Sequence, residues 1–325
     1  MEFKAIVVVR EVEFKQTINH IVGDYKCTFV KKSNNSNIIS EMFSTEIKNT
    51  LGKIYIDQLQ SAGLILIDFN IPIYNEDDLR NTFSNTSSIV GSYFQTFFHN
   101  LWFKTDNSVY VEEALCFYDH KFVIRQKLVE SFSNCKGQHL NYEFDYEDYD
   151  FVWNCYNDLF KQKIPEIKEE KYAFDNRSYY SDPSNQLYTS YNKVERATRF
   201  LLSARSDGFL PAKIQNYMSI LESLFVLKKD KITAQIKNNV INFIDDVEGE
   251  KFSKKQISKC YEIRSAYVHG NLTIKREQIE KSLDIIDEIC RRVFIKIFSD
   301  VNIYKAFISN DNNKVIEYLN SKESP

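Results

Sequence analysis

The 325-residue chain is poor in the residues that break or bend a backbone. It has eight glycines and five prolines. That excludes collagen-like and proline-rich linker architectures. No G-x-x-x-x-G-K-[ST] and no G-x-G-x-x-G occurs, so neither common glycine-rich phosphate loop is present. Long apolar runs are missing as well. The first ten residues hold one short run, Ala5 to Val9, flanked by charge. It is too short for a signal peptide, and no window reaches the length of a membrane span. The expectation is a cytoplasmic protein with no membrane partner. Six cysteines (Cys27, Cys116, Cys135, Cys155, Cys260, Cys290) form no C-x-x-C pair and read as free thiols.

An excess of charge of one sign is also lacking. The net charge is −3, which does not mark a generic nucleic-acid binder. The average conceals a division. Residues 191–325 carry 23 Lys+Arg against 18 Asp+Glu, and residues 1–190 carry 19 against 27. The C-terminal part is mildly basic.

Hydrophobic residues make up 43% of the chain and charged residues 27%, a globular composition. The pattern predicts an α+β chain: a mixed sheet and helix domain over 1–135, an acidic-aromatic segment and linker over 136–190, and an all-helical bundle over 191–325. Phe3 to Phe14, Ile54 to Leu59 and Leu64 to Ile73 read as extended, with breaks at Gly52 and Gly63. Asp77 to Phe103 keeps helical spacing. Val109 to Tyr118 and Lys121 to Leu128 read as strands. Asn141 to Asp150 alternates acidic and aromatic residues; it dresses a strand or marks a loose stretch. Phe151 to Phe160 reads as a short helix. Asp175 to Ser190, with Pro183, reads as the linker. Beyond it, helices are expected at Val194–Arg205, from Pro211 to about Leu227, at Thr233–Asp245, from Ser253 to near Gly270, and at Lys275–Phe298.

Cys116-x3-His120 and Cys135-x3-His139 offer a ligand set that zinc accepts. The first pair falls in an expected strand, where residues four apart lie roughly 13 Å from each other. Core cysteines and turn histidines are the plainer reading, with no cofactor.

The helix ending near Gly270 carries the chemistry. Its apolar stripe runs Ile257, Cys260, Tyr261, Tyr267, Val268, and Arg264 stands in the same register. A buried unpaired guanidinium is costly. Either a carboxylate partners it, or that face is an interface or cleft. His269 precedes Gly270, a natural left-handed helix stop. There the carbonyl end of the helix favours the imidazolium, and a histidine near neutrality serves as acid or base. Five residues on an ideal helix separate the side chains of Arg264 and His269 by about 140°. Unwinding at Gly270, or a second copy across a two-fold axis, is needed to bring them to one phosphodiester. An arginine at a polar border and a histidine at a helix end also arise in bundles without chemistry.

The stretch YEIRSAYVHGN (Tyr261–Asn271) resembles the signature of the HEPN superfamily: arginine, a polar residue, a short spacer and histidine. The form R-S-x-x-V-H-G is similar to its Apea-like branch. LPAKIQNYMSILESLF (Leu210–Phe225) is similar to that branch's upstream helix, Phe200 to Arg205 fits the approach to it, and LWFKTDNSV (Leu101–Val109) is a weaker match. The resemblance implies a metal-independent endoribonuclease, with Arg264 and His269 as catalytic residues in a composite site of a homodimer or higher even oligomer. Arg264 would hold the scissile phosphate, and His269 would be the acid/base for attack by the ribose 2′-hydroxyl. Ser265, Glu222, Tyr267 and Asn271 are supporting positions, with Glu222 expected as an ion-pair partner for Arg264 or a neighbour. Lys213, Lys254, Lys255, Lys259, Lys275 and Arg276 would rim the RNA site, each of them equally at home on a solvated helix face. The implied partners are RNA, tRNA included, and a phage-derived trigger; the implied role is antiviral defence by abortive infection. The rival readings are an inactive HEPN dimerisation or nucleic-acid-binding module, a helical interaction protein with Arg264 as an ion pair, and a metal enzyme using the Cys/His set.

Overall fold

A computed structural model describes residues 2–22, 25–70, 76–118, 121–128, 130–155, 191–244, 252–270 and 273–321. Counting these residues, the chain divides into two compact units. One comprises Met1–Asn134 and Gln138–Cys155; the other comprises Cys135–Gly137 and Tyr156–Pro325. The chain is mixed α+β, with a sheet in the first unit and a mostly helical second unit.

The first unit is organised by β1 (Glu2–Arg10). Its residues are apolar on both faces, so it belongs in the middle of a sheet covered on both sides. The strand period of two sorts them. Phe3, Ala5, Val7 and Val9 enter one core, and Ile6 and Val8 enter another. Each fully buried side chain of this size contributes about 1.5–3 kcal/mol. β2 (Val12–Phe14) follows after Glu11, whose positive φ of 57° turns the chain. β3 (Ile18–Val22) and β4 (Tyr25–Val30) form a hairpin; β5 (Gly63–Asn70), β6 (Tyr110–Tyr118) and β7 (Lys121–Lys127) complete an antiparallel sheet of order β3-β4-β5-β1-β6-β7.

Three short helices, α1 (Asn35–Met42), α2 (Thr45–Leu51) and α3 (Lys53–Ser61), supply Ile39, Phe43, Ile47 and Leu59 to the core on one face. α4 (Glu76–Asn100) supplies Val90, Phe94, Phe97 and Phe98 to the other. The expected extended segment Ile54 to Leu59 is therefore helical. Leu59 is buried, and Tyr55 and Ile56 pack against the same core, at helical spacings of three and four, while Ile54 is 78% exposed. β-branched composition suggested a strand there, but the apolar period is that of a helix.

The acidic-aromatic stretch is ordered and belongs to this unit. β8 (Tyr142–Phe144) pairs in parallel with β2, and α5 (Tyr146–Asn154) follows. Asp145 and Asp148 form a reciprocal capping box. Asp148 is buried and also meets Lys104 at 2.6 Å and the Tyr142 hydroxyl at 2.9 Å. These carboxylates are consumed by the fold. The expected helix over Phe151 to Phe160 begins earlier, and its end falls outside the described residues, as does the expected linker at 175–190.

The second unit contains α6 (Lys193–Ser206), α7 (Leu210–Phe225), α8 (Ile232–Ile244), α9 (Lys254–Val268), α10 (Arg276–Ser299), α11 (Val301–Ile308) and α12 (Asn312–Ser321). The five expected helices are present within a few residues, and two more follow them. α7 packs against α6, α8, α9 and α10. That explains its apolar character: Ile214, Tyr217, Met218, Ile220, Leu221, Leu224 and Phe225 are all buried. No helix among the described residues is long and apolar enough to cross a membrane.

Candidate functional site

α9 is fastened at its start. The Ser253 hydroxyl accepts from the Gln256 N–H, and the Gln256 side chain accepts from the Ser253 N–H at 2.7 Å. This capping box satisfies two otherwise orphaned donors. Ile257, Cys260 and Ile263 then face the core. The stripe passes through Ile263, whereas Tyr261 and Tyr267 are half-buried and Val268 is exposed. After Arg264 the helix leaves the core.

Its end is set by Gly270, at φ +75°. Nothing lies within 4 Å of a Cβ built there, so backbone conformation, not space, calls for glycine. The His269 N–H still donates to the Ser265 carbonyl at 3.0 Å, with φ −91° and ψ 6°. His269 is thus the cap residue, one step past the last helical residue, Val268, and still tied to the last turn. Within one chain the side chains at 264 and 269 leave the helix roughly 140° apart.

Arg264 stands at the border of the core, and its carboxylate partner is Glu222 on α7. Nη2 and Oε2 are 3.6 Å apart, and each side chain is 24% exposed. That is an ion pair outside hydrogen-bond range. The guanidinium also lies 5.8 Å from the centroid of the Tyr261 ring. Its Nε is buried and has no hydrogen-bond partner. Burial pushes the Glu222 carboxyl above the ordinary glutamate value, while the charge of Arg264 pulls it down. The pair is thus loosely made, with donors to spare.

His269 is exposed, and among the described residues its imidazole has no ion pair, hydrogen bond or ring contact. Ser265 is half-buried on the same helix. The Tyr267 ring meets Phe209, the residue preceding α7, with centroids 5.7 Å apart and planes at 64°. Asn271 lies outside the described residues.

Lys254, Lys255, Lys259 and Lys275 are exposed. Lys259 is 3.4 Å from Glu262, and the exposed Arg276 is 2.7 Å from Glu280. Lys213 is not a rim residue. It is wholly buried, and its ammonium donates to the Ala204 carbonyl at 2.6 Å, tying the end of α6 to the start of α7. Sequence spacing placed it on α7 but did not show that this helix is enclosed.

Of the Cys/His set, Cys116 is a buried thiol in the first sheet, and burial pushes its pKa to about 12. His139 is exposed, its ring 6.2 Å from that of Tyr110. Among the described residues these two do not come together with a third ligand. Cys135 is buried, its sulfur 3.6 Å from Asp284; His120 lies outside the described residues.

Phe209 was not singled out by sequence reasoning. It is 54% exposed. The signal available in the sequence was its place directly ahead of the Leu210-Pro211 helix start. No protein-family model, no curated protein and no solved structure matches this chain.

Proposed function

We propose that this chain is an endoribonuclease of the HEPN type, that its second unit is the HEPN bundle, and that Arg264 and His269 act in an assembly of two copies. The observation that carries this reading is the unsaturated state of Arg264. It stands at the border of the core, is held by one carboxylate at 3.6 Å and keeps a buried, unpaired Nε. A guanidinium with free donors suits two oxygens of a phosphodiester.

The reaction follows from the groups available. A neutral His269 takes the proton of a ribose 2′-hydroxyl as its oxygen attacks phosphorus. Arg264 offsets the charge that builds on the phosphoryl oxygens. The bond to the 5′-oxygen breaks, and a protonated His269 supplies the leaving group's proton. The products are a 2′,3′-cyclic phosphate and a 5′-hydroxyl. Because α9 stays helical through Val268, one chain aims its two side chains apart. A two-fold axis beside α9 would set one copy's Arg264 against the other's His269. The exposed lysines of α9 would steer the phosphate backbone. The cellular role proposed with it is antiviral defence by abortive infection, with the first unit restraining the enzyme until a phage-derived trigger arrives.

A second reading is a HEPN module that binds or dimerises without cleaving. The lack of any group orienting the His269 ring among the described residues favours it, since catalytic histidines are usually held by a third residue. The experiment is to incubate wild type and His269→Ala with tRNA and with total RNA in EDTA and to analyse product ends. Cleavage by wild type alone, leaving 2′,3′-cyclic phosphates, is expected. Equal RNA binding by both proteins with cleavage by neither, even for residues 191–325 freed of the first unit, would favour the module.

A further inference from the structure

We infer that the first unit holds a binding site for one thiophilic metal ion, Cu(I), with the Cys27 sulfur, His20 Nε2 and the Tyr149 oxygen as its ligands. The site stands on the first unit alone and does not rest on the nuclease reading.

Strand pairing brings the residues together. β3 and β4 are antiparallel, and His20 stands directly opposite Cys27 in the ladder. Side chains in that relation share one face of the sheet, with Cβ atoms about 4.5–5.5 Å apart. α5 meets them there. The centroid of the His20 ring is 5.5 Å from that of Tyr149 and 4.0 Å from that of Trp153. Phe29, two residues beyond Cys27 and so on the same face, is 5.4 Å from the Tyr149 ring. His20, Cys27, Tyr149 and Trp153 line one cavity of about 10 Å³, walled by further aromatic rings of β4 and α4. That is room for one water or one ion and for nothing larger.

Among the described residues, three polar groups of this cavity lack a hydrogen-bond partner. Tyr149 is 5% exposed, and its hydroxyl is buried and unpartnered, as is Nε2 of His20. Cys27 is 4% exposed, forms no disulfide and makes no hydrogen bond. Unpaired groups in an apolar site are costly, so the cavity calls for an occupant that meets all three. A water serves the nitrogen and the hydroxyl but gains little from a thiol, which is a weak donor and a weak acceptor.

The donor set selects the ion. Thiolate and imidazole favour Cu(I) and zinc over magnesium and calcium. Burial holds the pKa of His20 below its ordinary value, which keeps the ring neutral with a lone pair to give. Burial, with Asp68 adding to it, pushes the Cys27 thiol up to about 11. A hard, weakly held ion does not displace that proton, whereas a coordinating soft ion deprotonates a thiol outright. On binding, the thiol releases one proton to solvent and the sulfur bonds the metal. The single negative charge of the thiolate then matches the single positive charge of Cu(I). Zinc would leave a net charge in an apolar site unless Tyr149 also ionised, and burial holds that hydroxyl above the ordinary tyrosine value. Zinc also takes a fourth ligand, and the described lining residues offer no second thiol or imidazole for it.

The test is an anaerobic titration of the full chain with Cu(I), kept reduced by ascorbate and competed against bicinchoninate. The chain has six cysteines, so wild type is compared with Cys27→Ser, His20→Gln and Tyr149→Phe. Wild type should bind one equivalent that Cys27→Ser weakens at least about a hundredfold and His20→Gln at least about tenfold, with a smaller loss for Tyr149→Phe. Cu(I) should also raise the urea midpoint of wild type, because the ion binds only the folded site. Circular dichroism checks each variant for folding, and His20→Gln, at a half-buried position, carries the test should Cys27→Ser not fold. Equal Cu(I) binding by wild type and His20→Gln overturns the inference. So does a Cys27-dependent equivalent of Zn(II) with none of Cu(I). Wild type that binds neither ion leaves the cavity to water and overturns it as well.

Discussion

Two of the arginine–carboxylate pairs in the second unit differ in almost every respect. On α10, Arg291 and Asp287 are both buried, and Arg291 also meets Glu288. Asp287 accepts from the Tyr217 hydroxyl at 2.6 Å. Between α7 and α9, Arg264 and Glu222 are partly exposed, stand 3.6 Å apart and leave a nitrogen unpaired. The first pair is closed on itself; its charges satisfy one another. The second is open. The proposed function asks the open pair, not the closed one, to meet a phosphate.

The comparison is broken or sharpened by substitution. Asp287→Ala leaves the buried Arg291 with Glu288 alone and removes the acceptor of the Tyr217 hydroxyl, and should cost about 1–3 kcal/mol of stability. Urea denaturation should show the midpoint falling with an unchanged slope. Arg264→Ala should behave in the opposite way. A loosely made border pair contributes less than about 1 kcal/mol, so the unfolding midpoint should barely move, while RNA cleavage falls by at least about a hundredfold. A large stability loss at Arg264 with no enzymatic consequence would make the two pairs alike and support the plain structural role.

Gly270→Ala probes the end of the same helix. The positive φ penalises any side chain by about 1 kcal/mol, and the open space around the position means no clash is added. A modest loss of stability is expected, with a larger loss of cleavage because His269 shifts with its backbone. Equal effects on both would separate the helix stop from the site.

Much of this was legible beforehand, for physical reasons that vary along the chain. The helices of residues 191–299 announced themselves through apolar spacing and through Ser253, Pro211 and Gly270 at their ends. Arg264 was conspicuous as a charge in an apolar register, and its partner was anticipated at Glu222. Four features were not legible. Ile54 to Leu59 is β-branched at its start but helical in period, and composition outweighed spacing. Lys213 looked like any helix-face lysine, because the spacing of one helix does not reveal that others enclose it on all sides. The short helices between Asn35 and Leu51 carry too few turns to declare a period. The corner that presents Phe209 is held by its own N–H donating to the Asp207 carboxylate and by the Lys213 N–H donating to its carbonyl, bonds that do not reveal how exposed the ring is.

The smallest expected effect is the most specific to the open pair. Burial raises the Glu222 carboxyl above its ordinary value near 4.5, so the folded state binds that proton more tightly than the unfolded chain. The stability it contributes is present in full below the unfolded value and is lost as pH rises through the raised one. Wild type should therefore lose a little stability across that window, and Glu222→Gln should lose less, since an amide never ionises. Unfolding midpoints measured through the window for both proteins decide the matter. If the two curves run parallel, Arg264 compensates the Glu222 carboxylate fully, the pair is as closed as that on α10, and the guanidinium has no call on a phosphate.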